Sequence, residues 1–181
     1  MWAHTVAILI GGQSKRMGAP KHLVKLSNGK TMLETMLEFA AVVGRQTVIL
    51  GGYIDGQQCI QDLRKQQGPI GGIEALLNSK IDTNYLVVGC DMPFITKKDV
   101  QPLIDCSNNA VFSFENRLFG LPLHIKSEQL QACSAYLDSG SRSIRGFISE
   151  INHNTIILNK NSAETFLSIN SQDDLDKLTL E

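Results

Sequence analysis

Thr5-Val6-Ala7-Ile8-Leu9-Ile10, followed at once by Gly11-Gly12-Gln13-Ser14-Lys15-Arg16-Met17-Gly18-Ala19-Pro20-Lys21, is the stretch on which the fold turns. An unbroken apolar and β-branched run reads as a strand covered on both faces, the situation of a central strand in a parallel sheet. A glycine pair stops it, and cations follow. In an open α/β sheet, ligands bind beyond the carboxyl ends of the strands. Glycines there let backbone N–H groups approach phosphate oxygens with no Cβ in the way. Lys15, Arg16 and Lys21 add charge, and arginine suits bidentate phosphate contact. The segment is neither GxGxxG nor GxxxxGK[ST], so the two familiar nucleotide loops are not signalled. Its composition alone fits a plain surface loop equally well. Its position after a buried strand favours a phosphate site.

Outward from that loop, strands and helices alternate. Met32, Leu33, Met36, Leu37 and Ala40 share one helical face, and Gly44 closes that helix. Gln46–Leu50 is a second apolar strand, ended by Gly51-Gly52. Gly68-Pro69 breaks the chain before a helix over 72–77. Asn84–Cys90 is a third strand, stopped at Asp91-Met92-Pro93. A helix over 97–104 and a strand over 110–114 follow. The last third is less regular: strands are expected near 121–125, 155–158 and 165–169, with helices near 127–137 and 143–151. A closing helix over 171–178 has Ser171 as N-cap and Asp173-Asp174 in its first turn. The alternation predicts a doubly wound α/β fold: a mostly parallel central sheet with helices on both faces. With no internal repeat or linker in sight, the 181 residues read as one domain.

Bulk composition removes several function classes. A hydrophobic fraction of 43% supports an ordinary core, and a net charge of −1 argues against nucleic-acid binding, which needs a basic face. Anionic ligands must be held by a local site. Cys59, Cys90, Cys106 and Cys133 have no ligand-like spacing, as expected of reduced thiols. The apolar N-terminal run is too short to cross a bilayer and lacks a basic leader, so a cytoplasmic location and no membrane association are expected. His4, His22, His124 and His153 have no ligand spacing and read as surface or strand-end residues; Trp2 reads as a packing residue, and Ser14 lies outside any nucleophile elbow.

Two further segments carry chemistry. Asp91 ends a buried strand at the same sheet edge as the glycine loop, where one carboxylate suffices to hold Mg²⁺ against bound phosphates. A strand-end aspartate is more often a turn cap; beside a cationic loop, the metal role becomes the better reading. Gln67-Gly68-Pro69-Ile70-Gly71-Gly72-Ile73, with Asp62 upstream, is by itself a helix-leading turn, though such a loop is also able to wrap a base.

Taken together, GGxSxRMGxxK, then D…GPxGG, then CDMPF resemble the molybdenum cofactor guanylyltransferase family, one of the α/β nucleotidyltransferases of Rossmann-like fold. The resemblance covers most of the chain and implies roles. Leu9, Ile10, Gly11, Gly12, Gln13, Ser14, Arg16 and Lys21 would belong to the nucleotide site, the Gly11-Gly12 loop with Arg16 and Lys21 binding the triphosphate. Asp62, Gly68, Pro69 and Gly71 would hold the nucleoside, and Asp91 would carry Mg²⁺. Lys21, Arg16 and Asp91 would form the catalytic set. Arg142 and Ser143, in the segment Gly140-Ser141-Arg142-Ser143-Ile144-Arg145 similar to the family's G-x-R-[RS] turn, and Asn170 of Ser168-Ile169-Asn170, the surviving part of an N-x-N-T-P element, would bind the acceptor. Pro20 stands where the family often has an acidic residue. Gly12, where cytidylyltransferase relatives tend to have alanine, favours guanine. The implied partners are GTP and molybdopterin, with molybdoenzyme maturation proteins downstream. The nucleotide-binding part would lie at about 1–105 and the acceptor part at about 106–181. The rivals are a cytidylyltransferase or sugar-phosphate nucleotidyltransferase of the same fold, and a non-catalytic nucleotide-binding delivery protein.

Overall fold

A computed structural model describes residues 4–10, 20–169 and 174. Among the described residues, seven strands form one sheet: β1 Thr5–Leu9, β2 Gln46–Leu50, β3 Cys59–Ile60, β4 Asn84–Gly89, β5 Ala110–Phe114, β6 Arg117–Lys126 and β7 Asn154–Ile157. Their spatial order is β3-β2-β1-β4-β6-β5-β7. β1 pairs in parallel with β2 and β4, β2 with β3, and β5 with β7, whereas β6 is antiparallel to β4 and β5.

The strand residues sort by parity, because successive side chains point to opposite faces. Val6, Ile8 and Ile10 of the β1 run, with Leu86 and Val88 of β4, pack under α1 (Met32–Val43) and α3 (Lys97–Ile104). Ala7, Leu9, Tyr85 and Val87 face α2 (Pro69–Ser79), α4 (Leu130–Asp138) and α5 (Ile144–Glu150). A sixth helix, α6 (Lys160–Thr165), leads to Phe166, which packs on Phe112 on the first face at a centroid distance of 4.6 Å. The mostly parallel sheet with helices on both faces is therefore as expected from the sequence. Each large side chain buried this way contributes roughly 1.5–3 kcal/mol.

Local chemistry sets the helix starts. Thr31 and Glu34 close a reciprocal capping box at α1. Gly68, at φ +63°, is the N-cap of α2 with Pro69 in its first turn, so the helix begins three residues earlier than the expected 72–77.

Three expectations need correction. The strand expected at 165–169 is absent: Asn159 caps α6, its Oδ1 accepting from the Ser162 N–H at 2.9 Å, and the segment after Phe166 runs without regular structure. The short edge strand β3 and the early start of β6 escaped the sequence reading. β6 begins at Arg117 because Glu115-Asn116 adopt φ of +48° and +60°, the two left-handed positions of a tight hairpin, and this fixes β6 antiparallel to β5. His124 is buried within β6 rather than at the surface or a strand end, and His4, a strand-end residue before β1 as expected, is buried too. The expected helix over 171–178 lies outside the described residues, as does Trp2. Among the described residues, no helix is long and apolar enough to cross a membrane.

Candidate active site

The strand order reverses direction between β1 and β4, so a crevice opens at their carboxyl ends, the usual ligand position in a doubly wound sheet. The ladder continues one residue past each strand: Ile10 N–H donates to Leu50 O at 3.0 Å and Cys90 N–H to Leu9 O at 2.9 Å. These bonds fix where the chain leaves β1 and β4. From β1 it returns as a short 3-10 turn at Lys21–Leu23, and from β4 it passes straight to Asp91.

Lys21 and Asp91, seventy residues apart, meet here: Lys21 Nζ lies 2.9 Å from Asp91 Oδ2, with 17% and 21% of the respective side chains exposed. The Asp91 carboxylate folds back over Gly89. A Cβ at Gly89 would sit only 2.5 Å from Asp91 Oδ1, so the bare glycine is what admits the carboxylate. The Asp91 carbonyl accepts from the Ile169 N–H at 2.9 Å, which brings the segment after α6 to the same point. Cys90 is no nucleophile: burial, reinforced by the Asp91 charge, pushes its thiol up to about 12.

To one side lies a cavity of about 160 Å³ lined by Leu9, Gly51, Asp62, Gln66, Gln67, Gly68, Pro69 and Gly72. Leu9, Asp62, Gly68 and Pro69 were all expected among the nucleotide-binding residues. The glycines of α2 allow two close approaches. A Cβ at Gly72 would stand 3.1 Å from Leu9 Cδ2, and one at Gly71 would lie 2.7 Å from Gln67 Cβ and 3.6 Å from Asp62 Oδ2. The Asp62 carboxylate thus rests over the first turn of α2, and partial desolvation raises its pKa. Gln67 donates from Nε2 to Lys65 O at 2.8 Å, while its buried Oε1 has no hydrogen-bond partner among the described residues. Arg64 anchors this loop from beneath: its Nη2 lies 2.8 Å from Oε1 of Glu74, and its Nη1 meets Asp138.

To the other side is a larger cleft of about 600 Å³, bounded by Pro69, Phe119, Gly120, Leu121, the turn Arg142-Ser143-Ile144-Arg145, and Phe166-Leu167-Ser168. Pro69 borders both cavities. Of the expected acceptor residues, Arg142 and Ser143 line this cleft. Ser143 also caps α5, its hydroxyl accepting from the Gly146 N–H at 3.2 Å. Gly11, Gly12, Gln13, Ser14, Arg16 and Asn170 lie outside the described residues. Ile10 is buried against the first helical face rather than in either cavity.

Sequence reasoning missed Gly51, Gln66, Gly89 and the apolar wall of the cleft. Gly51 was visible only as a strand stop, whereas Arg145 stood in the segment expected to meet the acceptor. Gly89 carries no local signal at all. Among the described residues no cluster of three or more His, Cys, Asp or Glu side chains could cage a metal. The lone Asp91 carboxylate, with Oδ2 on Lys21 and Oδ1 over Gly89, would be one ligand of a cation whose remaining ligands are phosphate oxygens and water, as is usual for Mg²⁺.

The MobA-like NTP transferase domain matches residues 6–155. A molybdenum cofactor guanylyltransferase from Xanthomonas euvesicatoria is 25% identical over 180 residues, which span 98% of this chain and 95% of that one. A probable molybdenum cofactor guanylyltransferase from Flavobacterium johnsoniae is 28% identical, spanning 97% and 96%. Among solved structures, molybdopterin-guanine dinucleotide biosynthesis protein A from Archaeoglobus fulgidus superimposes with a TM-score of 0.79 at 25% identity, covering 96% of this chain and 95% of that one. The 2-C-methyl-D-erythritol 4-phosphate cytidylyltransferase of Francisella tularensis, at TM-score 0.69 and 14% identity over 98% and 99%, shares the fold. This chain belongs to the MobA-like NTP transferase family, and it is a nucleotidyltransferase.

Proposed function

We propose that the protein transfers GMP from Mg·GTP to the terminal phosphate of molybdopterin, forming molybdopterin guanine dinucleotide and pyrophosphate. The observation that carries this reading is the Lys21–Asp91 pair at the sheet's switch point, on a molecule that also has a small glycine-lined cavity and, sharing Pro69 with it, a larger cleft bearing arginines. The names of the relatives supply the base and the acceptor.

In this reading the nucleoside occupies the cavity of Leu9, Asp62, Gly68 and Pro69. Lys21 neutralises charge on the α-phosphoryl group. Asp91 would hold Mg²⁺, which supplies positive charge to the triphosphate and to the departing pyrophosphate. The cleft takes the pterin against its apolar wall, and the acceptor's phosphate oxygen attacks the α-phosphorus. One O–P bond forms there, and the bond to the β-phosphate oxygen breaks. No general base is needed, because a phosphate monoester is already anionic near neutral pH. Catalysis is then positioning and electrostatics. The division into a nucleotide part at about 1–105 and an acceptor part at about 106–181 follows the two cavities, with Pro69 as the shared border. A cytoplasmic setting and hand-over to molybdoenzyme maturation proteins complete the proposal.

The test is a nucleotide panel followed by turnover. With Mg²⁺, GTP at a hundred times its Kd adds about 2.7 kcal/mol of stability. For a chain of this size that is roughly a 5–10 °C rise in Tm. ATP, CTP and UTP at the same concentration should give less. Pyrophosphate release should then require molybdopterin, and Lys21→Ala should lower the rate roughly 10²–10³-fold, about 3–4 kcal/mol. A larger shift with CTP overturns the base assignment. Turnover indifferent to both Lys21→Ala and Asp91→Ala overturns the site.

A further inference from the structure

Two guanidinium groups border the larger cleft, and they are not equivalent. Arg142 Nη1 donates to Leu137 O at 2.8 Å and to Ser141 O at 2.6 Å. Leu137 belongs to the last turn of α4, and its carbonyl, beyond the helix's own ladder, also accepts from the Gly140 N–H at 3.0 Å. Arg142 therefore caps α4, as a basic side chain at a helix C-terminus does. Arg145 stands in the first turn of α5 and is exposed. Its guanidinium has no hydrogen-bond or ion-pair partner among the described residues. Its stem lies along β6 at Gly120, where an added Cβ would stand 3.7 Å from Arg145 Cγ. Around it the cleft wall is apolar, made by Phe119, Leu121, Ile144 and Leu167. The chain as a whole is nearly neutral, so no broad field draws an anion into this cleft. A single unpaired cation beside an apolar wall is able to do so locally.

We propose that Arg145, rather than Arg142, meets the acceptor's phosphate, and that Arg142 is a positioning residue tying the end of α4 to the turn before α5. This rests on the reading of a phosphorylated acceptor given above. A charge-assisted, bidentate contact is about twice as strong as a neutral hydrogen bond, and its loss reads as a weakened acceptor complex with the nucleotide site untouched. Lysine at the same position keeps the charge and loses the fork.

The experiment uses the full chain and measures molybdopterin binding by pterin fluorescence, the KM for molybdopterin and for GTP, and Tm. Arg145→Ala should weaken molybdopterin binding roughly 10- to 100-fold, the range of a charged hydrogen bond, with the GTP KM and Tm unchanged. Arg145→Lys should recover part of the loss. Dephosphorylated molybdopterin should bind wild type and Arg145→Ala alike, and Arg142→Ala should lower Tm. Wild-type affinity in Arg145→Ala overturns the proposal while leaving the functional reading intact. So does an Arg145 effect that persists with the dephosphorylated compound. Loss of acceptor binding in Arg142→Ala at unchanged Tm overturns the division of roles. A wild-type protein stabilised by GTP but blind to molybdopterin overturns the acceptor reading, and this proposal with it.

Discussion

Gly89→Ala is the sharpest probe of how the sheet builds its site. Gly89 is the last residue of β4, buried, and its Cα carries the space that Asp91 occupies. An added Cβ would lie 2.5 Å from Asp91 Oδ1, against an ordinary contact distance of 3.4 Å or more, while Asp91 Cγ and Met92 Cγ stand at 3.6 Å. The carboxylate must therefore retreat by about 1 Å, while the backbone meets no obstacle; a misplacement of that size in a catalytic constellation costs about 10²-fold. Stability should hardly change, because the atom displaced is the far end of a side chain, and replacing glycine in a strand recovers roughly 0.5–1 kcal/mol of backbone entropy. The assay is pyrophosphate release with GTP and molybdopterin, run beside a thermal melt. The expected pattern is a rate lowered about 100-fold at a Tm equal to wild type or slightly above it. Full activity in Gly89→Ala, with Asp91→Ala inactive, would refute the argument that the bare glycine seats the carboxylate. A large fall in Tm would refute the claim that only the side chain moves.

The buried His124 predicts an acid limit to stability. Burial foremost, then the neighbouring His4, lowers its pKa to about 4, while its Nδ1 lies 3.0 Å from Asn108 O and the His4 ring stands 4.9 Å away edge to face. The unfolded chain takes up a proton near pH 6.5 that the folded chain refuses until about 4, so stability falls as pH drops through that window, by on the order of 3 kcal/mol in total. Urea titrations from pH 7 to 4 should show this slope, and His124→Gln should flatten it; an equal slope in the variant would refute the assignment. Glu74, 2% exposed, meets Arg64 and Ser134 Oγ, each at 2.8 Å, through Oε1, while its buried Oε2 has no hydrogen-bond partner among the described residues. Arg64→Met alone strands a buried carboxylate and should lower Tm, whereas adding Glu74→Leu should restore much of the loss. A double variant no more stable than Arg64→Met, measured by melting, would argue against that account.

Much of this protein is legible in one dimension. The apolar β-branched runs at 5–10, 46–50 and 84–90 fixed the parallel core strands, because a strand covered on both faces must be apolar throughout. Gly68-Pro69 marked the break before α2, while the start of that helix, three residues before the expected 72, and the caps at Thr31, Ser143 and Asn159 came only with the structure. The glycine and aspartate at the strand ends pointed to the sheet edge where ligands bind. What the chain could not state locally was pairing over distance. That Lys21 and Asp91 touch, that Gly89 must be bare for them to do so, and that Arg142 is spent on α4 while Arg145 is not, all depend on segments distant in sequence. The same holds for His124, polar in the sequence yet sealed between β4, β5 and His4, and for Phe166, whose alternating neighbours suggested a strand until Phe112 gave it a place to dock. Local periodicity selects the elements; burial, register and the partners of polar groups are decided only when the sheet assembles around them.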